Sequence, residues 1–340
     1  MPRAKTTMPP SPVRLTRRKA LKTLFCSSAL LALNLRPQTL SALGLTDGEL
    51  NLLAIGDYGS QSKEQEAVSR AMQKYVSDHS LKTDGLLLLG DNFYSKMEGG
   101  IESKRWATGF EEMYPASTFP GPCWVILGNH DYHDNAGGEQ TQLVYARRPQ
   151  GTRWTMPHKW YRVELPKENP AVTFLFVDTD LPAVSGGTEK KKTASLSADE
   201  ARQQQSWLEG ELAKPRATFT IVAGHHPIYS NGQHGDTKAL KPWDDLLHKH
   251  GVHMYLCGHD HDLQHLEFEG RNTSFVVSGG GGARVRELKN DRKAPYGKNV
   301  YGFSHLQISR QRLILRHIDA NGTQLHAFTK LPDGTVKLET

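Results

Sequence analysis

No aspartate or glutamate precedes Asp47, while Arg3, Lys5, Arg14, Arg17, Arg18, Lys19, Lys22 and Arg36 all fall in that front stretch. The mostly apolar segment 21–35 is too short to span a bilayer, which excludes a stable membrane anchor there. Cysteine is scarce: three in 340 residues, one of them Cys26 near the front. A disulfide framework is therefore excluded as the basis of the fold, and Cys123 and Cys257, each inside an apolar strand pattern, read as two isolated buried thiols. There is no internal repeat and no low-complexity linker, so the body reads as one domain. A basic stripe is also missing from that body. Eight of the 42 Lys and Arg lie in the front segment, leaving 34 against 36 Asp and Glu, so the whole-chain charge of +6 becomes about −2. This balance argues against nucleic acid as a partner.

Residues 1–44 read as a leader: a basic block, then an apolar block. At their border Thr16-Arg17-Arg18-Lys19-Ala20-Leu21-Lys22 resembles a twin-arginine export signal, with Ala20 where that signal usually has an aromatic. The expected partner is the twin-arginine export machinery, and the expected destination is periplasmic or secreted. Cleavage is placed near 41–44, without a clean A-x-A. Phe25 before Cys26 is too bulky for a lipoprotein site. The remaining 45–340 is long enough for one large domain with a substantial core.

Short apolar runs end in glycine-bearing turns: Leu50–Ile55, Leu86–Leu89, Trp124–Leu127, Phe219–Ala223 and Met254–Cys257. Runs of this length without alternation fit strands covered on both faces. Helical patterns lie between them at Lys63–Val76, Ser197–Leu212 and Lys241–His250, with Ser197 and Glu200 as a capping box. The result is βαβ units around a largely parallel sheet, in which ligands gather beyond the carboxyl ends of strands. Alternating runs at Phe303–Ile308, Arg312–Ile318 and Gln324–Phe328 predict a closing antiparallel meander, and a second sheet is implied. The lysine-rich 186–194 loop reads as solvated, with gating of a site as its functional reading. The four glycines 279–282 read as a turn that brings backbone close to a site.

Every candidate ligand follows such a strand: Asp57 in GDYG, Asp91 and Tyr94 in GDNFY, Asn129 in GNHD, His225 in GHHP, and His259 and His261 in GHDH. Seven donors suffice for two metal ions sharing one carboxylate, an arrangement suited to attack on phosphate esters.

The order of these five motifs resembles the calcineurin-like metallophosphoesterase superfamily. Tyr94, three residues after Asp91, makes the chain similar to the purple acid phosphatases, especially the small, tartrate-resistant kind. The resemblance runs from about Leu50 to Arg286. It implies an α/β fold of two mixed β-sheets packed as a sandwich flanked by helices. It also implies that Asp57, Asp91, Tyr94 and His261 hold one metal and that Asp91, Asn129, His225 and His259 hold the other. Three oxygens with one imidazole suit Fe(III), and the less charged set suits a divalent Fe, Zn or Mn. Iron bound to a tyrosinate absorbs visible light, so a violet protein is expected.

The implied reaction is hydrolysis of a small-molecule phosphate monoester at phosphorus by a metal-activated hydroxide. His130 matches the general acid and His234 a group that binds phosphate and delivers protons. Both are expected to work protonated, giving an acidic optimum. Asp262 stands where similar enzymes often have Asn. Its carboxylate is expected either to orient a ligand or the substrate, or to repel an anion. A phosphodiesterase or nucleotidase on the same scaffold, redox chemistry at an iron pair and a non-catalytic phosphate-binding module are the alternative functions. The remaining histidines, among them His305, His317 and His326, read as structural.

Overall fold

A computed structural model describes residues 48–188, 191–192, 194–289 and 291–339. The front segment expected to be a leader, with its paired arginines, and part of the lysine-rich loop lie outside the described residues.

The first apolar runs form β1 (Leu50–Ile55), β2 (Gly85–Leu89), β3 (Cys123–Ile126) and β4 (Trp154–Thr155), all parallel. Helix α1 (Lys63–Asp78) joins β1 to β2, opened by Ser62, whose side chain accepts from Gln65 N–H at 3.2 Å. Its buried Val68, Ala71, Met72, Tyr75 and Val76 recur at helical spacing and cover one face of the sheet. Two short helices, α2 (Asn129–His133) and α3 (Gly138–Ala146), follow β3.

The second sheet contains β5 (Tyr161–Leu165), β6 (Val172–Phe176), β9 (Phe219–Ala223), β10 (Met254–Cys257), β11 (Leu263–Leu266), β12 (Ser274–Ser278) and β13 (Tyr296–Lys298). Their order is β13-β11-β12-β10-β9-β6-β5, with β6, β9, β10 and β12 parallel. The short β7 (Gly187–Thr188) and β8 (Lys191–Lys192) pair only with each other. Between β8 and β9 lies α4 (Ala198–Ala213), where Ser197 and Glu200 form the expected capping box. Between β9 and β10 lies α5 (Lys241–Lys249), with Pro242 in its first turn.

The closing meander is β14 (Gly302–Ile308), β15 (Leu313–Asp319), β16 (Gln324–Lys330) and β17 (Val336–Leu338). It extends the first sheet, because β14 pairs antiparallel with β1 in the register Leu50↔Ile308. The first sheet is therefore mixed, in the order β17-β16-β15-β14-β1-β2-β3-β4. The second sheet is built from strands nearer the middle of the chain. Ser274–Ser278 and Phe174–Val177, which alternate weakly in sequence, are buried on both faces as central parallel strands.

One apolar layer lies between the sheets, where Leu52, Ala54, Leu87 and Ile126 meet Phe174, Ile221, Leu256 and Val276. Residues of opposite parity, such as Leu53 and Ile55, face α1, while Val222, Tyr255 and Val277 face α4 and α5. Both-sided burial is what the unbroken apolar runs required. Cys123 and Cys257 are free and buried. Among the described residues no helix is long and apolar enough to cross a membrane.

Candidate metal centre

The parallel strands of both sheets deliver the motif residues to one place. Asp57 follows β1, Asp91 and Tyr94 follow β2, Asn129 follows β3, His225 follows β9, and His259 and His261 follow β10. Three of them bend the chain sharply: Asp57, Asp91 and His259 have φ of 57°, 51° and 69°. Left-handed backbone costs a non-glycine residue about 1–3 kcal/mol and persists where surrounding structure over-determines it. The glycines beside them give the clearance. A Cβ at Gly128 would fall 2.3 Å from Asp91 Oδ1, and one at Gly258 would fall 2.5 Å from Asp57 Oδ2.

Two groups of donors result. In the first, the Tyr94 hydroxyl lies 3.0 Å from Asp91 Oδ2, 3.4 Å from Asp57 Oδ1 and 3.3 Å from His261 Nε2. His261 Nε2 is in turn 3.4 Å from Asp57 Oδ1. Donor atoms of Asp57, Asp91 and His261 all lie within 4.8 Å of one another. In the second, His225 Nε2 is 3.4 Å from Asp91 Oδ1, 3.3 Å from Asn129 Oδ1 and 3.3 Å from His259 Nδ1. Asp91 thus turns one oxygen to each group. The seven residues named from sequence are all brought together.

The imidazoles are held from behind. His225 Nδ1–H donates to Leu89 O at 2.8 Å and His261 Nδ1–H to Arg284 O at 2.7 Å, leaving both Nε2 atoms facing the carboxylates. The backbone N–H of His259 donates to Asp57 Oδ2 at 2.8 Å. The expected glycine turn closes this wall. Gly281 N–H donates to Gly56 O at 3.1 Å and Ala283 N–H to Asp57 O at 2.9 Å.

The electrostatics fit a cation. Asp57 and Asp91 are buried, at 0% and 1% exposure. Burial would lower the pKa of His225, but Asp91 outweighs it and raises it well above the ordinary value; at His261 burial is likewise outweighed by Asp57. The Nε2 protons so favoured occupy the positions that a metal would take in exchange. Burial, then the charges of Asp91 and Asp57, push the Tyr94 phenol well above its usual range, so a phenolate there needs a cation beside it. The His259 pKa is lowered by burial and by His226, His225 and other imidazoles, which favours the neutral form.

His130 and His234 border the group from two sides. The His130 ring lies 4.4 Å from that of Tyr94, and its Nδ1 is 3.0 Å from Asp134 Oδ2. The His234 ring lies 4.4 Å from that of His259, and its Nε2 meets the Arg286 guanidinium. A guanidinium can only donate, so in this contact the His234 nitrogen is the acceptor. Burial, with Arg286 as a further contributor, lowers the His234 pKa despite Asp260.

The reading of Asp262 is corrected. It is 1% exposed, accepts from Gln264 Nε2 at 2.8 Å, and burial and then Asp260 raise its pKa well above the usual range. It presents no carboxylate to a substrate. Sequence reasoning missed Asp131, the last residue of GNHD. Its carboxylate accepts from Gly128 N, Asn92 N, Asn92 Nδ2, Phe93 N and Gln142 Nε2 at 2.7–3.2 Å, joining the turns after β2 and β3. The only signal was its position two residues after Asn129. His226, next to His225, turns its Nδ1 to Thr179 Oγ1 at 2.9 Å.

Residues 50–263 match the model of the calcineurin-like phosphoesterase family. Tartrate-resistant acid phosphatase type 5 of Homo sapiens is 33% identical over 87% of this chain and 95% of its own length. Purple acid phosphatase 7 of Arabidopsis thaliana is 29% identical over 83% of this chain and 86% of its own. In fold, the purple acid phosphatase of yellow lupin seeds superposes with a TM-score of 0.62 at 18% identity, covering 83% of this chain and 54% of that one. The match spans all five motifs, and the two-sheet α/β architecture is shared, so the chain belongs to the calcineurin-like phosphoesterase family.

Proposed function

We propose that the protein is an exported dimetal acid phosphatase that hydrolyses phosphate monoesters. The class, a phosphoric monoester hydrolase, is supported by the family and by relatives named acid phosphatases. The observation that carries the finer reading is Asp91, whose two oxygens face two separate donor groups.

Asp57, Asp91, Tyr94 and His261 would hold the first ion, and Asp91, Asn129, His225 and His259 the second. The oxygen-rich first set, with its phenol, suits Fe(III); the second suits divalent Fe, Zn or Mn. When bound, the ions neutralise the phosphate dianion and lower the pKa of a water so that hydroxide is available. The residues around them orient and protonate. His130, held by Asp134, protonates the leaving oxygen as general acid. His234 accepts from Arg286 and contributes to binding phosphate.

Export by the twin-arginine route would let the chain fold and load metal in the cytoplasm before it reaches the periplasm or exterior. A phosphodiesterase or nucleotidase on the same scaffold is separated from this reading by substrate rates. The metal-loaded protein is expected to release phosphate from a monoester much faster than from a diester, with an acidic optimum. Faster diester cleavage, or no phosphate release at all, would refute it.

A further inference from the structure

Beyond the ligand turns, residues 284–289 (Arg-Val-Arg-Glu-Leu-Lys) bring three cations to the rim. The segment is pinned at both ends: Arg284 O accepts from His261 Nδ1–H at 2.7 Å, and Lys289 N–H donates to Asn231 O at 2.8 Å. Arg286 reaches His234, and the Lys289 ammonium lies 3.8 Å from where a Cβ on Gly235 would be. Gln233, Arg284, Val285, Arg286 and Glu287 line a cleft of about 360 Å³ there. Among the described residues none of the three cations has a carboxylate partner, and Glu287 is the single acid in the lining.

Arginines in a cleft without a carboxylate partner are well shaped for bidentate contact with phosphate. Several other arginines of this chain have carboxylate partners: Arg292 with Asp236, Arg271 with Asp245, Arg312 with Glu49. The rim differs in that its charge is left open beside the phosphate-binding histidine.

We propose that Arg284 and Arg286, with Lys289 behind them, form a second anion subsite that receives a further phosphate on the leaving group, so that the preferred substrates are bisphosphorylated small molecules. The inference rests on the dimetal phosphatase reading, since it assigns the far end of the same substrate. The subsite supplies binding and orientation and takes no part in bond making. Its attraction acts before the scissile phosphate is in place, so it shows chiefly in KM and weakens with salt.

The test compares phosphate release from fructose 6-phosphate and fructose 1,6-bisphosphate by the metal-loaded full chain. The expected ratio of kcat/KM values is about tenfold or more in favour of the bisphosphate. The joint change Arg284→Gln and Arg286→Gln should bring it down to about twofold, the statistical share of two esters, while Arg286→Lys keeps part of the preference. Reading a ratio cancels any general loss from disturbing His234, and Arg284 is exposed, so Arg284→Gln alone serves where the double variant folds poorly. A wild-type ratio of about two, or a larger one that the arginine changes do not move, would overturn the subsite while leaving the phosphatase reading intact. No phosphate from either sugar would overturn both.

Discussion

The Tyr94 hydroxyl lies 3.0 Å from Asp91 Oδ2, although the two residues are only three apart in a segment that is not helical. The left-handed Asp91, with φ 51°, and Gly90, with φ 88°, turn the chain back on itself after β2. A phenol and a carboxylate that emerge from one strand end can therefore face the same ion. The other Asp91 oxygen accepts from the backbone N–H of His130 at 2.9 Å and faces His225, which follows β9.

Replacing His130 by Ala should lower kcat by about 10²–10⁴-fold, the usual contribution of a positioned acid, without loss of either metal. Turnover with metal content measured on the same sample checks this. Unchanged kcat would remove His130 from the reaction.

Asp131→Ala leaves four N–H groups, the backbone ones of Gly128, Asn92 and Phe93 and the side-chain amide of Gln142, without their acceptor, while Asn92 Nδ2 keeps Ile126 O. A buried donor left unsatisfied costs about 1–3 kcal/mol, so the loss of stability should reach at least about 3 kcal/mol. Thermal unfolding of the variant gives the answer, and an unaltered midpoint would show that the two turns do not depend on this carboxylate.

Stability should fall on acidification even as activity rises. Burial, and then His326, push His317 down to about 3; burial, and then Arg316, push His305 down to about 3. Both are neutral when folded but titrate near 6.5 when unfolded, so the unfolded state binds more protons between these values. Their contribution is complete above about pH 6.5 and is lost as pH falls toward 3. Midpoints measured across this window should decline, and His317→Gln should make the decline shallower. An identical slope in the variant would mean that His317 does not set it.

Changing Arg17 and Arg18 together to Lys should leave active enzyme in the cytoplasm. Cell fractionation with a phosphatase assay reports this directly, and continued export would point to a different signal.

The site was legible from sequence because each donor follows an apolar strand and a glycine, and that punctuation survives in a linear reading. Helices α1, α4 and α5 were legible for the same local reason, down to the Ser197 cap. What escaped depends on distance along the chain. The pairing of β14 with β1 joins residues more than 250 apart, so the meander's sheet could not be assigned from its alternation. Arg286 meets His234 across 52 positions, a contact that no local pattern announces. Asp262 and Asp131 look alike beside their ligands, yet one is sealed under Gln264 and the other gathers five donors. Only packing separates them.

The most direct test is elemental analysis and a visible spectrum of freshly purified protein and of Tyr94→Phe. Two metal ions per chain, at least one of them iron, are expected, with a visible band that the Phe variant loses. A colourless iron-loaded protein, or a Phe variant that stays violet, would contradict ligation by Tyr94 and the assignment of the first site.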